Sequence, residues 1–93
     1  MKNRVVVTGL GVISPVGNNV DTFWESLITG KSGVGLITAF DTTDYPVKIA
    51  AEVKDFNPAD YMDKKEVKRT DRFVQLAIAA ATLAVKNSGL EIT

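Results

Sequence analysis

The chain has no cysteine and no histidine in its 93 residues. The first absence excludes disulfides, a thiol nucleophile and thiolate-ligated metals. The second excludes an imidazole base and the usual Cys/His zinc sites. Lack of cysteine suits a reducing compartment. A surplus of one charge is also missing, because eleven basic and eleven acidic side chains cancel. Net charge therefore favours neither a nucleic-acid binder nor a halophile-like surface, and leaves room only for a local patch. The apolar run Phe73 to Val85 is too short to span a bilayer and contains Gln75 and Thr82. Near the start, Lys2 and Arg4 precede an apolar stretch, but Gly9, Gly11 and Pro15 interrupt it and no small-x-small cleavage site follows. The expectation is a soluble, cytoplasmic chain with no membrane or nucleic-acid partner.

What remains is an ordinary globular composition, 45% hydrophobic and 24% charged, long enough for one domain or a piece of one. Val5, Val6 and Val7 form a β-branched run that predicts a strand buried on both faces. Gly9 and Gly11 remove side chains at its downstream end, and Pro15 and Gly17 force a turn. Asn19 is placed to cap a helix on which Val20, Phe23, Trp24, Leu27 and Ile28 share one apolar face, with Gly30 as its stop. Lys31 to Pro46 reads as loop. Val47 to Val53 alternates around Ile49, Ala51 and Val53, which predicts a strand exposed on one face.

Asn57-Pro58 opens a turn or short helix, and Asp63 caps a second short helix, Lys64 to Arg69. Thr70 or Asp71 then caps the longest helix, which runs to about Asn87 before Gly89. Phe73, Leu76, Ala77, Ala80, Leu83 and Ala84 repeat at helical spacing, and Val74, Ile78, Ala81 and Val85 widen the stripe. A helix so nearly apolar all round should be buried between other elements, with its alanines allowing close approach.

Three motifs suggest chemistry. Gly9-Leu10-Gly11-Val12-Ile13-Ser14 approaches a dinucleotide fingerprint, but that chemistry needs a helix to start at the glycines. Pro15 and Gly17 occupy that place, so the glycines read instead as a strand end packed closely against neighbouring backbone. Gly30-Lys31-Ser32 resembles the tail of a Walker motif, yet Glu25 stands where its leading glycine belongs, and the triplet ends a helix rather than opening one. From Asp63 to Arg72 there are five basic residues (64, 65, 68, 69, 72) and three acidic ones (63, 66, 71), a local excess of two. Lys65, Lys68, Arg69 and Arg72 would share a helical face. This is either a solvated face or a docking patch that steers an acidic partner. No aromatic residues interleave with it, which disfavours nucleic acid. Asp41, Asp44, Asp55, Asp60 and Asp63 match no calcium-loop spacing and are explained by turns and caps.

Taken in order, VVVTGLGVISPVG, NVDTFWESLITGKSGV, FDTTDYPVKIAAEVKDFNP and RTDRFVQLAIAAATLAVKNSGLEI resemble the beginning of a bacterial β-ketoacyl-acyl-carrier-protein synthase. Within that family the similarity is greatest to the type II condensing enzyme of fatty acid synthesis. The opening motif is also shared with polyketide ketosynthases and their chain-length partners. The resemblance implies an α/β chain: an incomplete N-terminal part of a thiolase-like five-layer α-β-α-β-α sandwich. Residues 1–93 would then be a fragment of its first half, not a complete domain.

It also implies decarboxylative Claisen condensation. An acyl group passes from its carrier protein to a cysteine thiolate, malonyl-carrier protein loses carbon dioxide, and the carbanion attacks the thioester to give a 3-oxoacyl-carrier protein. The family's Cys, His, His and lysine fall beyond Thr93, so no catalytic, cofactor or metal residue is assigned in this chain, and the 93 residues alone are expected to be inactive. No cofactor is expected. The partners implied are acyl carrier protein, acyl and malonyl thioesters, and a second copy in a homodimer. Lys64, Lys65, Lys68 and Arg69 match the family's carrier-protein docking patch. With few strands to complete a sheet, the chain by itself is expected to be aggregation-prone or poorly cooperative.

Overall fold

The computed structural model describes residues 3–91, and these fall into two compact units. One takes the described residues through Val12 and those from Asn57 onward; the other is Ile13–Phe56.

In the second unit, Ser14 and Gly17 exchange backbone hydrogen bonds of 3.0 and 3.3 Å across Pro15-Val16. Proline presets the turn, and the Ser14 hydroxyl accepts from Val16 N at 3.3 Å to tighten it. Helix α1 (Val20–Thr29) follows. The Asn19 side chain accepts from Thr22 N at 2.8 Å, and Gly30 closes the helix in the left-handed region at φ 74. Ser26 is the buried residue of α1, and its hydroxyl donates to Val16 O at 2.7 Å, fastening the turn to the helix. The expected apolar face is not covered: Trp24, Leu27 and Ile28 are all more than half exposed.

The segment read as loop contains a strand, β1 (Val34–Leu36), which pairs antiparallel with β2 (Ile49–Ala51) in the register Val34↔Ala51, Gly35↔Ala50, Leu36↔Ile49. β2 lies within the predicted Val47–Val53 strand, but Ile49 and Ala51 face solvent and Ala50 is the half-buried residue. Beyond the pair, charged groups organise the connection. Glu52 accepts from Thr38 N and Ala39 N at 3.0 and 3.1 Å and from the Thr38 hydroxyl at 3.1 Å. Lys48 donates to the carbonyls of Thr42, Thr43 and Tyr45. The Asp41 carboxylate accepts from the Thr43 hydroxyl and backbone N–H and is held below the usual carboxylate range by them.

In the first unit a 3-10 turn (Pro58–Asp60) leads to α2 (Lys64–Arg69) and α3 (Arg72–Ser88). α2 has the predicted bounds, and Asp71 rather than Thr70 sits at the N-cap of α3. Gly89, at φ 71, ends α3 as expected. Two of the expectations fail here. Val5, Val6 and Val7 are 93, 62 and 80% exposed and belong to no strand. A strand needs a hydrogen-bonded neighbour, and none of the described residues pairs with them. The second concerns α3, which buries only Gln75 and Ala79, while Phe73 is 70% exposed. A shallow apolar groove of about 420 Å³ follows its open side along Ile78, Ala81 and Val85.

What does cover α3 is the glycine segment. A Cβ at Gly9 would stand 2.7 Å from both Cβ and N of Ser88 and would collide with Ala84 O. One at Gly11 would lie 2.6 Å from Ala84 N and would overlap Ala80 O. Leu10 N donates to Asn87 Oδ1 at 3.0 Å, pinning the segment to the end of the helix. Two glycines on one side and Ala80 and Ala84 on the other let backbone meet backbone, the role the sequence suggests for them.

Candidate functional site

The geometry of the glycine segment removes the dinucleotide reading. α1 begins at Val20, nine residues past Gly11, and the α3 backbone fills the space a phosphate would need. Gly30-Lys31-Ser32 is the C-terminal cap of α1: Lys31 N donates to Ser26 O at 2.9 Å. The negative end of the helix dipole lies there. A polar cleft of about 350 Å³ beside the Ser14–Gly17 turn includes Asn18, Asn19 and Lys54. Its polar groups already serve the fold: Asn18 Nδ2 donates to Lys54 O at 2.7 Å, and Lys54 Nζ donates to Gly33 O at 3.0 Å. Among the described residues no group of three or more Asp or Glu is placed to hold a metal, and no helix is long and apolar enough to cross a membrane.

The basic cluster is the remaining candidate, and α2 carries all four of its residues. At about 100° per residue, Lys64, Lys68, Lys65 and Arg69 follow one another across about 140° of the helix, with Val67 on the far side. All four are exposed, and Val67 is half-buried. Lys68 and Arg69 lie in the last turn, where cations suit the helix dipole. Arg72 does not extend this face, because α2 ends at Arg69 and Arg72 opens α3.

The helix is held from its C-terminal end. The Thr70 hydroxyl donates to Glu66 O at 2.7 Å and lies 3.8 Å from Met62 Sδ. Gln75, 7% exposed within α3, donates from Nε2 to Val67 O at 3.1 Å and to Thr70 O at 3.4 Å. Sequence reasoning treats Gln75 only as a polar interruption of an apolar run. That interruption was the available signal, since a buried amide must find partners.

The comparisons agree with the resemblance. The family described as "Beta-ketoacyl synthase, N-terminal domain" matches residues 2–93, and the chain belongs to it. The chain is 55% identical over 91 residues to 3-oxoacyl-[acyl-carrier-protein] synthase 2 of Coxiella burnetii, covering 98% of this chain and 22% of that protein. Proteins of the same name in Staphylococcus aureus (strain COL) and Vibrio harveyi are 52% and 49% identical over 89 and 92 residues. They are covered to 22% of their length by 96% and 99% of this chain. Among solved structures, "The ishigamide ketosynthase/chain length factor" superposes with a TM-score of 0.86 at 40% identity, over 92% of this chain and 21% of that one. The fold is therefore thiolase-like, and the chain spans about a fifth of the length of the relatives it matches.

Proposed function

We propose that the protein acts as a fatty-acid-elongating condensing enzyme, and that residues 1–93 form part of the first half of its five-layer sandwich. The protein would join an acyl thioester to malonyl-acyl-carrier protein and release carbon dioxide and a 3-oxoacyl-carrier protein. The identity of 49–55% to proteins named 3-oxoacyl-[acyl-carrier-protein] synthase 2, over nearly every residue of the chain, carries this reading. The thiol nucleophile and imidazole groups of the reaction have no counterpart in a chain without cysteine or histidine. The role of these residues is thus scaffold and docking surface. Lys64, Lys65, Lys68 and Arg69 present positive charge to the acidic carrier protein, speeding encounter and fixing register. The same reading makes the protein a cytoplasmic homodimer.

A second reading, a polyketide ketosynthase or its chain-length partner, is favoured by the likeness to the ishigamide protein, although at the lower identity of 40%. Reconstitution separates them. Full-length protein mixed with acyl- and malonyl-carrier protein of the fatty-acid system should yield 3-oxoacyl-carrier protein, and the 93-residue chain should yield none. No product from the full-length protein, or turnover by the short chain, contradicts the proposal.

A further inference from the structure

We propose that Gln75 is a positioning residue for carrier-protein docking: from inside α3 its amide holds the C-terminal end of α2 and so fixes the orientation of the basic arc. This inference rests on the docking reading above.

The need for such a residue follows from α2 itself. Six residues are too few for a helix to persist on local propensity. α2 buries no side chain, and Asp63 at its N-cap makes no side-chain capping bond. Only the half-buried Val67 packs inward, and no capping side chain fixes the N-terminus. Two carbonyls of its last turn, Glu66 O and Val67 O, are taken by side chains from outside the helix. The Thr70 hydroxyl takes Glu66 O, and Gln75 Nε2 reaches across the break between the helices to Val67 O and Thr70 O. Gln75 is more than nine-tenths buried in a stretch, residues 73–81, otherwise made of Phe, Val, Leu, Ile and Ala. An apolar side chain there would be the ordinary choice for stability, because a buried amide costs free energy unless it is bonded. What the amide adds is a link to α2.

The link also governs what the cations can do. Lys and Arg in a last helical turn commonly fold back onto the final carbonyls. A neutral amide on Val67 O satisfies that carbonyl without using Lys68 or Arg69, whose side chains stay directed at solvent. An arc held this way is organised before its partner arrives, which lowers the ordering cost of binding.

Gln75→Met keeps length and approximate volume but removes both donors. In the full-length protein it should weaken carrier-protein affinity about fivefold, the effect of losing one helix cap. The slope of log affinity against log salt should not change, because every charge remains. KM for the carrier-bound substrate should rise while kcat holds, and amide exchange should quicken at residues 64–70 but not in α1. Faster exchange with unchanged affinity overturns the proposal, and so does unchanged exchange. Charge reversal at Lys65 and Arg69 is run alongside. If that leaves affinity intact, docking at α2 is wrong and the role of Gln75 falls with it. One readout needs no variant: the Gln75 side-chain amide protons in the unmodified protein should exchange slowly. Exchange at the rate of a free glutamine amide contradicts the link even if Gln75→Met fails to fold.

Discussion

Helices α2 and α3 are separated by two residues and are built on opposite principles. α3 is seventeen residues long, rich in alanine, and in backbone contact with Gly9 and Gly11. α2 is six residues long, exposes four cations and is tied by side-chain hydrogen bonds to its last carbonyls. Backbone contact tolerates no added atom and responds weakly to salt or pH. The charged arc tolerates many side chains as far as stability is concerned, and the docking proposed for it would respond to salt because it is electrostatic. The seam and the proposed docking arc are thus distinguishable by how each is held.

The contrast is broken most forcefully at the glycine seam. Gly11→Ala places a Cβ against Ala80 O and Ala84 N, backbone atoms that cannot move aside. A loss of about 2–3 kcal/mol is expected, read by chemical denaturation of the full-length protein. Gly35→Ala, whose Cβ would meet nothing within 4 Å, is the control and should change stability by less than about 0.5 kcal/mol. Equal costs for the two would remove the seam from the account. Thr70→Val keeps the branched shape and deletes the hydroxyl bond to Glu66 O. It should cost about 0.5–1 kcal/mol, with faster amide exchange confined to α2 and its flanks.

A smaller effect is expected at Glu52. Hydrogen bonds from Thr38, with a further one from Ala39, hold its carboxyl below the usual carboxylate range. The clamp is therefore complete above the ordinary glutamate range and is lost as pH falls through the depressed value. The amide resonances of Thr38 and Ala39 should shift together on acidification, and Glu52→Gln should abolish that titration. A resonance pair that stays fixed to low pH would show that the carboxylate does not hold this loop.

The same division explains what was legible in the sequence. Helix ends depend on neighbours in the chain, and Asn19, Gly30, Asp71 and Gly89 mark them where the structure does. The bounds of α2 were readable for the same reason. Strands depend on residues far away. Val5–Val7 has the composition of a buried strand and no partner among the described residues, while Val34-Gly35-Leu36, with glycine at its centre and Ser32 and Gly33 before it, becomes a strand because Ile49–Ala51 lies opposite. Burial failed likewise: Trp24, Ile28 and Phe73 lie on faces whose periodicity is clear, yet all are exposed. Periodicity marks a face that requires cover without saying what supplies it. The basic cluster was found because charge is a local property. The link from Gln75 to α2 was not legible because its partners, Val67 O and Thr70 O, are backbone atoms that no side-chain pattern reveals.

The most direct test of docking at α2 is titration of acyl carrier protein against the full-length protein and its Lys65→Glu/Arg69→Glu variant at two salt concentrations. The variant should retain wild-type stability to within about 0.5 kcal/mol. Its affinity should fall about tenfold or more at low salt, the loss narrowing as salt rises. Equal affinity of the two proteins at low salt would contradict docking at α2.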